Sequence, residues 1–221
     1  MRYKSNRREQ EILKTPRTKP AEVRLDELMT AAETLFLAKG VEATTITEIV
    51  ERAQVAKGTF YHYFASKNDL LKAMGERYTA QFLSRLESAV NSCAPDDWLN
   101  RLRTWILTSV EAYVDTYRTH DIVYNDHHHH DRSNGEKSAI LEQLEGILNG
   151  GQQAGTWSLD RPRITALLIY SGVHGATDEI IAAQPVNCND FAQDVAENCL
   201  RMLGINDLDK AGTLKSSDKS L

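Results

Sequence analysis

Apolar residues recur at helical intervals along most of the chain. Leu25, Leu28, Met29, Ala32, Leu35 and Phe36 follow i, i+3, i+4, i+7 spacing and the run stops at Lys39-Gly40, so a first helix is expected there. Thr45-Ile46-Thr47-Glu48 has capping-box spacing, in which the threonine side chain accepts from the Glu48 amide while the Glu48 carboxylate reaches back. It predicts a short helix through Arg52, with Ile46, Ile49 and Val50 facing inward. Beyond the connection Ala53-Gln54-Val55-Ala56, a second short helix is expected over about 57–62, and two short helices joined this tightly read as a helix-turn-helix. Ser66-Lys67-Asn68-Asp69 repeats the cap spacing, and Leu71, Met74, Tyr78, Phe82, Leu86 and Ala89 carry a long helix to about Ser92.

Past Pro95, Asp96 is expected to open another long helix whose inward face reads Leu102, Trp105, Ile106, Ser109, Tyr113 and Tyr117, with Arg118 near its end. The stretch 121–135 is less regular. Helices are expected again over about 137–154, 163–183 and 190–203, punctuated by Gly150-Gly151, Gly155, Pro162 and Pro185. No internal repeat and no strand-rich segment interrupts the pattern. The fold class is therefore all-α: a small N-terminal helical domain over 21–70 containing the helix-turn-helix, and a larger C-terminal helical domain over 71–205. A basic arm (1–20) precedes them and a polar tail (206–221) follows.

Composition narrows the function classes. With 221 residues the chain can bury a proper core, and its longest apolar stretches, such as 166–170, fall far short of the roughly 20 residues that span a bilayer, so no membrane association and a cytoplasmic location are expected. Cys93, Cys188 and Cys199, odd in number and widely spaced, fit neither a disulfide framework nor a zinc ribbon. The net charge of -5 conceals an asymmetry: residues 1–70 hold 12 Lys and Arg against 10 Asp and Glu, whereas residues 71–221 hold 14 against 21. Arg2, Lys4, Arg7, Arg8, Lys14, Arg17 and Lys19 concentrate that surplus in the arm, which reads either as a solvated tail or as an added source of phosphate and minor-groove contacts.

The stretch 53–67 is the most informative. A short exposed helix carrying Lys57, Thr59, Tyr61, His62 and Tyr63 offers hydrogen-bond donors to a major groove, while Phe60 and Phe64, four apart, share an inner face. Gly58 would let the backbone approach a base edge or phosphate, at a cost of about 1 kcal/mol in helix propensity. With Ala31-Ala32-Glu33-Thr34-Leu35-Phe36-Leu37-Ala38-Lys39-Gly40, Thr44-Thr45-Ile46-Thr47-Glu48-Ile49, Lys57-Gly58-Thr59-Phe60-Tyr61-His62-Tyr63-Phe64 and Ser66-Lys67-Asn68-Asp69-Leu70-Leu71 in order and spacing, the chain resembles the TetR family of bacterial transcriptional regulators.

The resemblance implies a three-helix DNA-binding domain followed by a helical ligand-binding and dimerisation domain. It implies that Thr45 and Thr47 bond phosphates, that Lys57, Gly58, Thr59, Tyr61 and His62 face the groove, that Tyr63 reaches the DNA backbone, and that Lys67 clamps a phosphate at the start of the fourth helix. Tyr61 and Tyr63 have packing as the alternative role. Two positions depart from the family pattern: Gln54 stands where a left-handed glycine is usual and Ala56 where a hydroxyl cap is usual.

In the second half, Trp105, Tyr113, Tyr117, Tyr124, Tyr170 and His174, together with His127, are candidate ligand-pocket residues, with ordinary core packing as the alternative for each aromatic ring. Asp126-His127-His128-His129-His130-Asp131 admits a metal reading, but consecutive helical residues lie about 100° apart, so only pairs such as Asp126 with His130, His127 with Asp131, or His127 with His130 share a face, and a closed site would need ligands from another helix, for which His174 and Asp178 are candidates. The segment reads otherwise as part of a hydrogen-bonding pocket or as a solvated histidine run. Ile164, Leu167, Leu168, Ile180, Ile181, Phe191, Val195, Leu200 and Leu203 are expected to supply a homodimer interface. The expected function is a ligand-responsive repressor that binds palindromic double-stranded operator DNA as a homodimer and is released by a small effector, with no catalytic residues and no required cofactor. The alternative is a metal-responsive regulator, or a metal-dependent enzyme, built on His127 to His130.

Overall fold

The computed structural model describes residues 20–124, 135–183 and 188–205, with the Glu136 side chain left aside; residues 1–19 of the basic arm, the histidine run and the polar tail lie outside those residues. The described residues form eight helices and no strand: α1 (Ala21–Lys39), α2 (Ile46–Arg52), α3 (Lys57–Tyr63), α4 (Lys67–Asn91), α5 (Trp98–Tyr124), α6 (Gly135–Gln153), α7 (Pro162–Ala183) and α8 (Cys188–Met202). The chain divides into two compact units between Leu70 and Leu71.

In the first unit, Leu28, Met29, Ala32 and Phe36 of α1, Ile49 and Val50 of α2 and Phe60 of α3 are buried, together with Phe64 just beyond α3. Phe60 and Phe64 meet with ring centroids 5.5 Å apart, and burying each such ring contributes about 2–3 kcal/mol. α1 ends where Gly40 turns to φ 85°, ψ 161°, a region nearly closed to residues with a Cβ. The expected capping box forms: the Thr45 Oγ1 accepts from the Glu48 amide at 3.3 Å, and the Thr45 amide donates to Glu48 Oε2 at 2.9 Å. Ser66 caps α4 in the same way, accepting from the Asp69 amide at 3.2 Å.

In the second unit α5 is the central element, packed against α6, α7 and α8, while α6 and α8 both meet α7. Leu102, Trp105, Ile106, Val110, Leu144, Leu148, Ala166, Ile169, Ala196 and Leu200 form its core. Three sequence expectations change here. Asp97, not Asp96, caps α5, accepting from the Asn100 amide at 3.0 Å. α5 continues through 121–124, where irregular chain was expected, because Val123 is buried and the Tyr124 hydroxyl donates to the Gly75 carbonyl at 3.2 Å.

Gly150 and Gly151 do not punctuate. They lie inside α6, covered by indole rings: a Cβ on Gly150 would fall 2.2 Å from the Trp98 ring and one on Gly151 2.1 Å from the Trp157 ring. Their lack of side chains serves packing, so the helix runs through them despite its weaker propensity.

Candidate functional site

The turn between α2 and α3 keeps the left-handed residue that the sequence put in question. Gln54 adopts φ 54°, a conformation that costs a residue with a Cβ about 1–2 kcal/mol. The turn is closed by the Val55 amide on the Val50 carbonyl at 3.0 Å. Ala56 supplies no side-chain cap to α3, so the first amides of α3 lack that partner.

α3 has two distinct faces. Phe60 is fully buried, whereas Lys57, Gly58, Tyr61 and His62 are exposed and Thr59 is half-buried. A Cβ on Gly58 would meet nothing within 4 Å, so packing among the described residues gives no reason for the glycine. The Tyr63 hydroxyl donates to the Ala21 carbonyl at 3.1 Å, tying α3 to the start of α1.

Polar side chains fix the start of α2. The Thr45 hydroxyl donates to Glu48 Oε2 at 2.8 Å, and Lys39, from the last turn of α1, pairs with Glu48 Oε1. The hydrogen bond from Lys39, then those from the Thr45 amide and hydroxyl, hold the Glu48 carboxyl down at about 2. The Thr45 hydroxyl hydrogen is thus spent on the cap, whereas Thr47 is exposed and makes no side-chain hydrogen bond among the described residues. The Lys67 ammonium donates to the Val41 carbonyl at 2.6 Å and the Thr44 carbonyl at 3.2 Å, holding the connection that leads into this cap.

The second unit contains a cavity of about 560 Å³, within the range that accepts drug-sized molecules. Trp105, Tyr113, Tyr124, Tyr170 and His174, all expected from the sequence, line it, and so do Tyr78, Thr79, Phe82, His120, Asp121 and Asp178. Tyr117 does not. Seven residues return a helix to within about 20° of the starting face, whereas four leave it about 40° away, so from Tyr113 the lining passes to His120. That spacing was the available signal for His120. His127 lies outside the described residues.

The cavity's polar groups are tied to one another. The Tyr113 hydroxyl donates to Asp178 Oδ1 at 2.6 Å, and His174 Nδ1 lies 3.1 Å from Asp178 Oδ2. Burial and the Asp178 carboxylate push the Tyr113 hydroxyl far above its ordinary range. His120 is wedged among aromatic rings, with centroids 4.8 Å from Tyr113 and 4.9 Å from Tyr124. Burial holds it below the ordinary histidine value. Opposite, Thr79 and Tyr124 share a hydrogen bond of 2.6 Å between their hydroxyls.

Of the candidate metal ligands, His174 and Asp178 bond to each other, and His127 and His130 lie outside the described residues. Among the described residues no three His, Cys, Asp or Glu side chains group so as to hold a metal ion, and no helix is long and apolar enough to cross a membrane. Of the apolar residues expected at a dimer interface, Ile180, Leu200 and Leu203 are buried within the unit itself. Ile164, Leu167 and Leu168 are exposed on α7 at 45%, 41% and 55%, large values for such side chains. Gly172 and Gly175 continue that face, with open space above both.

Residues 28–74, which contain the turn and both its helices, match the family described as bacterial regulatory proteins, tetR family. The transcriptional repressor KstR2 of Mycobacterium tuberculosis (strain H37Rv) is 26% identical over 161 residues, covering 70% of this chain and 78% of its own length. The solved structure of FadR from Bacillus subtilis, 20% identical, superposes with a TM-score of 0.67 over 79% of this chain and 96% of that one. SmeT, 21% identical, does so with a TM-score of 0.67 over 81% and 91%. These two likenesses carry the fold, and over residues 28–74, the segment that holds the helix-turn-helix, the chain matches the bacterial regulatory proteins of the tetR family.

Proposed function

We propose that the chain is a ligand-responsive transcriptional repressor that binds palindromic operator DNA as a homodimer. The observation that carries this reading is the division of labour on α3. Its inner face is locked by Phe60, while Lys57, Thr59, Tyr61 and His62 make no side-chain hydrogen bonds among the described residues and are available to base edges. Thr47 and the remaining N–H of Lys67 would fix register on phosphates, whereas Tyr63, its hydroxyl hydrogen spent on the Ala21 carbonyl, would act by tying α3 to α1. Thr45 would act through its cap, by setting the start of α2.

A palindrome requires two reading helices about one DNA turn apart, roughly 34–36 Å, or a multiple of it. The exposed Ile164, Leu167 and Leu168 of α7, with the bare Gly172 and Gly175 beyond them, support a second copy as the partner of that face. The cavity in the second unit is the effector site in this reading. KstR2 is named a repressor, and FadR and SmeT were solved with stearoyl-CoA and triclosan, which supports both the direction of regulation and a bound small molecule. Release requires only that the effector favour the conformation with the weaker DNA affinity.

Selection of bound duplexes from a random pool tests the reading. The expected product is an inverted repeat bound by two chains, with an affinity that falls steeply with salt. A well-folded sample that stays monomeric and ignores every duplex at low ionic strength overturns it.

A further inference from the structure

The hydrogen-bond directions in the cavity identify the chemistry of its ligand, given the reading of that cavity as the effector site. A carboxylate only accepts. Asp178 therefore receives the Tyr113 hydroxyl hydrogen at 2.6 Å and the His174 Nδ1 hydrogen at 3.1 Å. With its hydrogen spent, the Tyr113 oxygen can only accept from His120 Nδ1, 3.5 Å away. Asp121 Oδ1, 3.4 Å from the same nitrogen, also only accepts. His120 thus carries its hydrogen on Nδ1, and burial opposes a second proton, which leaves Nε2 a bare acceptor. The cluster consumes its own donors and leaves lone pairs for whatever binds.

The charge and the walls point the same way. Among the described residues, Asp121 and Asp178 face a single lining ammonium, that of Lys137, which itself lies over the Tyr170 ring at 5.4 Å from the centroid. The aromatic wall therefore already accepts one cation, as the negative face of a ring does. Phe82, Trp105 and Ile140 supply an apolar surface for the rest of a molecule.

We propose that the cavity binds protonated organic amines, with the ammonium group donating to the Asp178 and Asp121 carboxylates and a hydrophobic body lying against the aromatic wall.

Three probes with one body and different heads test it: 4-phenylbutylamine, 4-phenylbutan-1-ol and 4-phenylbutyrate, titrated calorimetrically into the full chain. The amine is expected to bind at least tenfold more tightly than either of the others. Asp178→Asn should bring the amine to the level of the alcohol and leave the alcohol unchanged. Asp121→Asn, which does not touch the Tyr113 hydrogen bond, should give a smaller loss and serves if the first variant is unstable. Equal or tighter binding of the carboxylate overturns the proposal, as does an amine advantage that survives both substitutions, or no binding of any probe. Duplex affinity is measured in parallel. Amine binding that leaves it unchanged keeps the ligand class and sinks the effector reading instead.

Discussion

Lys67 and Val41 stand 26 positions apart, yet the lysine ammonium lies 2.6 Å from the valine carbonyl oxygen. With the second bond to Thr44, two of its three N–H donors are committed to the connection ahead of α2, so that one remains for a phosphate if this lysine meets DNA. Lys67→Ala should therefore have two separable effects. Denaturant unfolding should show a loss of about 1–3 kcal/mol from the stranded carbonyls. The salt dependence of duplex binding should also fall by about 0.9 in log-log slope, the share of one phosphate. An unchanged slope would assign the whole effect to the connection.

Gly58 has open space where a Cβ would stand. Gly58→Ala should stabilise the isolated protein by about 0.5–1 kcal/mol, since alanine is the better helix former and nothing among the described residues obstructs it. If DNA backbone or base edges approach this position closely, the same substitution should weaken operator binding at least tenfold. Chemical denaturation and fluorescence anisotropy read the two effects. Stabilisation without loss of binding would remove Gly58 from the interface.

Gly150 and Gly151 both sit beneath an indole ring, but the rings differ in freedom. Trp157 is 6% exposed and its Nε1 donates to the Leu148 carbonyl at 2.8 Å, so it cannot swing aside. Trp98 is only half-buried. Gly151→Ala should lower stability by about 1–3 kcal/mol or more, as overpacking does, and Gly150→Ala by less. Thermal unfolding of the two variants checks the order, and a reversed order would contradict it.

The Glu48 carboxyl titrates at about 2 in the folded chain against 4.5 for an ordinary glutamate. A lowered folded-state value means that the unfolded chain binds the proton more readily. The stabilisation is thus complete above about 4.5 and is lost as pH falls toward 2. Glu48→Gln should flatten this part of the stability profile relative to the parent chain. Parallel profiles in denaturant melts from pH 6 downward, on the order of one measurement per half unit, would refute the assignment.

Leu168 is the most exposed of the three large apolar side chains on the α7 face, at 55%. Leu168→Asp should leave unfolding of the separate chain nearly unchanged, as an exposed position does. If that face joins two copies, light scattering should show the variant as a monomer and operator affinity should drop sharply. A variant that remains dimeric would move the interface elsewhere.

The parts of this structure legible in the sequence are those governed by short-range spacing. Thr45 and Glu48 lie three apart, so their reciprocal cap could be read directly, and Phe60 with Phe64 declared an inner face by the same logic. The aromatic line through Trp105 and Tyr113 was visible as helical periodicity and does reach the cavity. Asp121 and Thr79 have no pattern until another helix supplies their partners, whereas His120 is signalled by its seven-residue spacing from Tyr113. Gly150 and Gly151 lie within the helix expected over 137–154, but as punctuation rather than as packing positions, because propensity knows nothing of tryptophans brought from distant positions. The bond from Lys67 to Val41 was hidden for the same reason, whereas the charge at Lys67 was plain.

The support of α3 comes from its inner ring and from the turn before it. Phe60 anchors it in the unit's interior, and Gln54 sets its entry angle through backbone conformation alone. Of the outward positions, Lys57 alone is exposed without a ring contact or partial burial, since Thr59 is half-buried and Tyr61 and His62 lie edge-on to Phe60 and Tyr63; changes of lettering on this helix are therefore best begun at 57, with the aromatic positions kept aromatic.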